Sequence, residues 1–391
     1  MRILTYCDED LAVAAGGSRQ VLEFAKAMAM RGHEVNVVAP QSERPEPGVS
    51  VPPRMHMHKV PVIRWGGLRP VSFLLNSERT LSRLFRDAPP EVFLWFDSPG
   101  QMAPLWAIQR SSCPVVYFLN GLPAEEVRGV WRLAPLVRLL THGLRLAARK
   151  ARFIVSVCPE LFAGLQAVEP IDSGKCIVIK NGVDPDHFYP RPHEEARREL
   201  HLAEQGPYIG FVGGFFPWHG LDTLIAAMAI VVRSFPTVQC LLIGEGHTKA
   251  ALEDEVQRLK LSHHIRFTGR ADFEAVPRWI AACDVCVVLH RQTRSYPGDS
   301  MKLWEYLACG RPVVATAGPG YGDTIVEFGC GLSARPDDPN DLARHLLRLL
   351  IDDALRRDMG ARGRTAVVRS HTWSARAAQL EQLCLSAVSE I

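Results

Sequence analysis

Short apolar runs recur along this chain, and most are separated by segments with an apolar residue every three or four positions. RILTY opens the chain. HEVNVVAP follows a helical stretch over 18–31 that Gly32 stops, and EVFLWF, PVVYFL, ARFIVSV and KCIVIKNGVD continue the series. Runs of this length, rich in Val, Ile and Phe, predict buried strands, and the 3.6-residue period between them predicts helices. A polar, proline-containing stretch, FYPRPHEEARRELHLAEQGP, interrupts the pattern, which then restarts. YIGFVGG, VQCLLIG, HIRFTG, DVCVVLH and RPVVAT are the strands of the second series, with helices over 221–235, 249–260, Val276–Ala282 and within 298–316. Two or three amphipathic helices form the tail. Such alternation predicts parallel sheets joined by crossover helices. The expected fold class is α/β, with two Rossmann-like, doubly wound parallel-sheet domains facing a cleft. Their expected bounds are 1–190 and 191–372, with a C-terminal helix, 373–391, crossing back to the first domain.

Composition narrows the class. The chain has 391 residues, ample for two cores, with 47% hydrophobic and 22% charged residues. A net charge of +3 is too near neutral to argue for nucleic acid. The longest apolar run, 224–232, is too short to span a bilayer. MRILTYCDEDLAV has acids where a signal peptide carries its apolar core, so it reads as a first strand and loop. Ten scattered cysteines, many within apolar runs, suit reduced thiols in a cytoplasm. Cys283 and Cys286 form a lone CxxC that reads as a helix end and a strand, not as a metal or redox pair. The expected location is cytoplasmic, with the inner membrane surface as a variant, and the expected state is monomer or homodimer.

Five stretches could carry chemistry. In GDSMKLWEYLACGRPVVAT, Asp299, Ser300, Met301, Lys302 and Leu303 open a helix, and Glu305 shares a face with Lys302. Free amides and a lysine at a helix start suit a phosphate, and a carboxylate one turn on suits vicinal sugar hydroxyls; together they suit a nucleotide. An i,i+3 ion pair on a solvated face is the competing reading and, from spacing alone, the commoner one. In IGFVGGFFPWHGLDTLI, Gly213 and Gly214 follow a strand and allow a ligand close to the backbone, or are plain turn residues. LLIGEGH, with Gly244, is a GxG after a strand; Lys249 stands where a dinucleotide fingerprint wants Gly or Ala, which argues against a dehydrogenase. Gly16 and Gly17 sit at the mouth of the first helix, and NGVDPDHFYP closes the first domain with two turn signals.

In this order and at these distances, the stretches resemble the retaining glycosyltransferases of the GT-B fold, family GT4. The marks are GGSRQVLEFAKAMAMRGHEV, NGVDPDHFYP, VGGFFPWHGLDTLIAAM, LLIGEGH, IRFTGR and WEYLACGRPVVAT, and they span essentially the whole chain. The resemblance implies a nucleotide-sugar donor, UDP-linked as the commonest in the family, a hydroxyl acceptor and retention of configuration. It places Gly16, Gly17, Gly213, Gly214, Gly244, Gly269, Arg270, Arg294, Asp299, Ser300, Met301, Lys302, Leu303 and Glu305 at the donor. This chain also departs from the family. Gly214 and His219 stand where many members carry an Arg and a Lys on the diphosphate. Pro297 stands where the first glutamate of a pair belongs, and Asn120 where a strand-end histidine belongs. Lys302, helped by Arg291 or Arg294, is expected to take over diphosphate neutralisation, with His219. No DxD-like acidic pair sits in a suitable loop, so neither metal nor cofactor is expected. Asn120 would orient a hydroxyl, with Glu125 or Glu126 near the acceptor.

Acceptor choice is expected in first-domain loops near 8–17, 61–80 and 120–135. The segment 127–153 has six arginines, one lysine and no acid, and suits a peripheral membrane contact, a site for a phosphorylated acceptor, or a core-packed helix with a wet basic face. The alternatives to a transferase are a GT-B isomerase or hydrolase acting on the nucleotide-sugar itself, and a catalytically degenerate binding homologue.

Overall fold

The computed structural model describes residues 1–13, 16–43, 51–63, 65, 68–96, 102–109, 111–122, 134–291 and 298–389. The chain divides into two compact units. One is Met1–Asn181 with Trp373–Ile391; the other is Gly182–Thr372.

In the first unit, β1 (Arg2–Tyr6), β2 (Glu34–Pro40), β3 (Met55–Val60), β4 (Val92–Phe96), β5 (Val115–Leu119), β6 (Phe153–Ser156) and β7 (Cys176–Val178) form one sheet. Their order is β3-β2-β1-β4-β5-β6-β7, and every pairing is parallel. VFLWF and VVYFL are buried at every position, as expected of strands covered by helices on both faces. The helix Gly16–Met30 lies on this sheet, and the helix Trp373–Ser389 packs against it: Phe24 meets Trp373 edge-on at 5.3 Å, and Glu381 takes both Arg31 and His33.

The second unit repeats the scheme with β8 (Tyr208–Val212), β9 (Gln239–Ile243), β10 (Ile265–Gly269), β11 (Val285–Val288), β12 (Val313–Thr316) and β13 (Gly331–Ala334). Their order is β10-β9-β8-β11-β12-β13, again all parallel. In each unit the strand order reverses once, between β1 and β4 and between β8 and β11. Loops leaving the carboxyl ends of strands at such a point diverge and leave room for a ligand.

Some details correct the sequence reading. The first unit ends at Asn181, not at 190. Val183 bridges to Thr372, Phe188 is buried in the second core, and Arg364 donates to the carbonyls of Phe188 and Pro185. Residues 69–80, expected to be loop, lie in the helix Arg69–Asp87. β3 and β13 carry no continuous apolar run to mark them: MHMHKV buries only Met55 and Val60, and Gly331–Ala334 buries only its two ends. Cys283 caps the helix Val276–Ala282 and Cys286 lies in β11, both as buried free thiols. No helix among the described residues is long and apolar enough to cross a membrane.

Candidate donor and acceptor sites

In the second unit, β8 runs into Gly213 and Gly214, then a single 3-10 turn, Pro217–His219, and the helix Leu221–Ser234. β11 runs toward Gly298 and the helix Met301–Ala308. These two loops flank the point where strand order reverses, and Lys302 joins them. A Cβ on Gly213 would lie 2.9 Å from Lys302 Cε, so the lysine stem occupies room that only glycine leaves. Gly213 also has φ +147°, which favours glycine. Lys302 Nζ lies 3.4 Å from His219 Nε2 and 5.4 Å from the centre of the Phe211 ring.

Hydrogen-bond chemistry settles the state of that histidine. His219 Nδ1 lies 2.6 Å from the Gly214 carbonyl, which only accepts, so Nδ1 carries the proton. Nε2 is then a lone pair facing the Lys302 ammonium, which donates to it. His219 thus sits between the Gly214 carbonyl and Lys302, placed to orient the lysine. Burial pulls Lys302 down to about 8, with the Glu305 carboxylate opposing. The hydrogen-bond partner of Lys302 is His219 and not Glu305, so the plain i,i+3 ion pair does not describe this lysine.

The rest of the helix start divides by role. Both oxygens of Asp299 accept from the indole N–H of buried Trp304, at 3.1 and 3.2 Å, so Asp299 anchors the turn. The Leu303 side chain is buried in the core and its amide donates to Ser300, leaving it nothing to offer a ligand. Ser300 occupies the N-cap without a side-chain cap bond; Met301 and Glu305 are half-buried. Tyr306 ties this helix to the other loop: its hydroxyl accepts from the Val212 amide at 2.7 Å.

Arg291 is not the expected helper. It pairs with Asp222 and, at 3.0 Å, with Asp337, while its amide donates to Trp218. Arg294 and Pro297 lie outside the described residues. Gly244 donates to the Gly269 carbonyl, and a Cβ on it would strike the Gly213 carbonyl at 1.9 Å, so it serves loop packing. Gly269 turns with φ +76° into exposed Arg270.

The first unit presents a different chemistry at its switch point. Gly16 and Gly17 begin the first helix, and a Cβ on Gly17 would lie 2.1 Å from Glu9 Oε1. A carboxylate already sits against that helix start. Beyond β5, Asn120 Nδ2 donates to Gln20 Oε1 at 2.7 Å, and Gln20 Nε2 donates to Asn181 Oδ1 at 2.8 Å. Arg376 donates to the Asn181 carbonyl. Gln20 is buried, so its two bonds fix which way the half-buried Asn120 points, with its amide nitrogen toward Gln20. Glu125 and Glu126 lie outside the described residues.

Comparison with known proteins bears on this arrangement. Residues 192–366 match the family described as glycosyl transferases group 1, and residues 14–187 match glycosyltransferase family 4. The chain is a family 4 glycosyltransferase of GT-B fold. It is 26% identical to phosphatidyl-myo-inositol mannosyltransferase of Mycolicibacterium smegmatis, over 97% of this chain and 92% of that one. It is 33% identical to an uncharacterised glycosyltransferase of Methanocaldococcus jannaschii; that match spans about half of each chain, 49% of this one and 48% of the other. The structure of Anabaena HepE in complex with UDP and glucose superposes with a TM-score of 0.77 at 18% identity, over 99% of this chain and 100% of that one, and shows the same fold.

As a family 4 glycosyltransferase the protein transfers sugar from a nucleotide-sugar donor. Sequence reading of this transferase missed Tyr306 and Gln20. Gln20 carried a signal, a polar residue on the apolar face of a helix, but nothing local said which partners it would find. The tautomer of His219 had none.

Proposed function

We propose that this transferase moves a sugar from a UDP-linked donor to a hydroxyl of a glycan, glycolipid or small molecule, with retention of configuration and without a metal. Lys302 carries the reading: a lysine cation held between two strand-end loops at the second unit's switch point, with a neutral imidazole to orient it. Breaking the bond between the anomeric carbon and the diphosphate puts negative charge on the departing phosphate. A preoriented ammonium and the amides at the start of Met301–Ala308 lower the barrier there. The acceptor oxygen enters on the leaving-group face, and its proton passes to the departing phosphate oxygen, so no strong protein base is required. Asn120 orients a hydroxyl through its carbonyl oxygen. Glu305 accepts from the ribose hydroxyls. UDP is favoured because the solved neighbour of like fold holds it. The site of action is the cytoplasm, with a glycolipid acceptor placing it at the inner membrane surface.

The test is titration calorimetry of UDP, GDP, dTDP and NADH against wild type and Glu305→Ala, with chelator present. Tight binding of UDP alone, weakened in the variant, supports the reading. Tight binding of GDP or dTDP instead moves the base assignment. Binding of no diphosphate sinks it in favour of a degenerate homologue, and turnover of the nucleotide-sugar without acceptor points to an isomerase or hydrolase.

A further inference from the structure

Strand β8 loses one neighbour before it loses the other. It pairs with β9 along its whole length, from Tyr208 against Gln239 to Val212 against Ile243, but among the described residues it pairs with β11 only at Ile209 and Gly210. The Gly213 amide donates to the Ile243 carbonyl, on the β9 side. Successive peptide groups of a strand point to opposite sides, so the Val212 amide and carbonyl face the side from which β11 has diverged. Left there without partners, they would be costly. Tyr306 fills the place of the missing strand. Its hydroxyl accepts from the Val212 amide at 2.7 Å and donates to the Val212 carbonyl at 3.4 Å. The tyrosine is fully buried, which keeps bulk water from that oxygen. It also stands four residues after Lys302 on the helix Met301–Ala308, hence on the same face. The lysine stem fills the space beside Gly213 while the tyrosine hydroxyl holds Val212. Two side chains of one helix thus grip two consecutive residues at the end of β8.

We propose that Tyr306 is a positioning residue for the transfer: its hydroxyl sets the gap between β8 and the helix Met301–Ala308, and so holds the Lys302 ammonium where the donor diphosphate meets it. The consequence for donor binding rests on the reading of Lys302 given above; the positioning itself does not. The titratable groups facing Lys302 are Glu305 on its own helix and His219 from the β8 loop. Those acting on Tyr306 are Glu305 together with the Cys283 and Cys286 thiols. Removing only the hydroxyl alters none of these groups. It does leave the Val212 amide and carbonyl to take up water, and water between strand and helix relieves the desolvation that depresses Lys302. The lysine then titrates nearer its ordinary value of about 10.4. A tyrosine that merely filled the core would leave that titration where it is.

The experiment follows Lys302 itself by nuclear magnetic resonance of the unliganded full chain, isotope-labelled at the lysine ε-carbons, with Lys302→Met to assign the signal. Wild type is expected to titrate at about 8. Tyr306→Phe, which keeps the ring, is expected to raise the proton affinity of Lys302 about tenfold or more and to weaken UDP binding about threefold or more. Ile325→Ala, a cavity elsewhere in the same core, is expected to lower the melting temperature and leave the Lys302 midpoint unmoved. An unmoved midpoint in Tyr306→Phe overturns the proposal, and so does an equal shift in Ile325→Ala. Hydrogen exchange in wild type gives a second reading that needs no variant. The Val212 amide is expected to exchange as slowly as that of Gly210, which is held within the sheet, and fast exchange at Val212 overturns the proposal. Failure of UDP to bind wild type is a separate result: it removes the donor reading, and the lysine titration still decides the positioning.

Discussion

The two units share one architecture and place their ligand-facing loops at the same topological point, yet the chemistry there is opposite. In the second unit a glycine pair opens the backbone and a lysine fills the gap, its charge held by an imidazole lone pair and an aromatic face. In the first unit the corresponding glycine is met by the Glu9 carboxylate, and the strand-end residue is a neutral carboxamide in a chain of carboxamides. One switch point suits an anion and the other suits uncharged hydroxyls. Fold therefore sets where ligands go, and a handful of side chains set what kind they are.

Removing the lysine is the largest perturbation of this contrast. Lys302→Met is expected to cost about 10²–10³-fold in kcat/KM, the range for losing one preorganised donor to developing charge, with far-UV circular dichroism unchanged. A fall of less than about threefold would show that the second switch point is not cationic in function. Restoring the family's arginine tests the same site from the loop side. A Cβ at Gly214 would lie 2.4 Å from the Phe216 ring, so Gly214→Arg overpacks and should cost about 1–3 kcal/mol in thermal stability along with donor affinity. Phe216→Ala in the same chain should recover part of both; if it does not, the ring is not what excludes the arginine.

Titration sharpens the contrast next. Lys302 is depressed to about 8, so UDP affinity should decline as pH rises through that value, and the decline should vanish in Lys302→Met. Stability of the unliganded protein runs the other way. Between about 8 and the ordinary lysine range the unfolded chain binds a proton that the folded one has lost, so this group makes the fold more stable as pH rises. Calorimetry at stepped pH reads the first, and denaturant melts of wild type against Lys302→Met read the second.

The smallest expected effects lie in the first unit. Gln20→Leu strands two hydrogen-bonding partners and should cost about 1–3 kcal/mol of stability. Its functional signature is a lower kcat with the donor KM unchanged, because Asn120 loses its orientation while the second unit is untouched. Asn120→Ala should reproduce the kinetic change without the stability loss. A change in UDP affinity from either variant would dissolve the separation of roles.

Much of this was legible in the chain. Val285–Val288 and Val313–Thr316 announced themselves as strands because both their faces are buried, and the expected bounds of the helix Val276–Ala282 held. The restart after a polar proline-rich stretch announced the doubling. β3 was hidden because only its two end residues are buried, and the helix Arg69–Asp87 because Val71 and Leu75 stand exposed on its polar side and blur the period. At the donor site, Lys302 stood out as a charge at the mouth of an otherwise apolar helix. Leu303 and Asp299 could not be told from ligand-facing neighbours, since facing the core and facing a ligand are one residue apart in a helix.

Periodicity, glycine placement and residue type determined the fold class, the doubling and the position of the loops, because these depend on local geometry and on which faces must be dry. The partner of each polar group was decided only in three dimensions. His219 gives its proton to a carbonyl five residues back and its lone pair to a lysine 83 residues on; Arg291 is taken by Asp222 and Asp337; Gln20 bridges residues 100 positions downstream and beyond. A hydrogen bond depends on distance and direction between atoms that the fold alone brings together, and sequence spacing carries neither for residues so far apart.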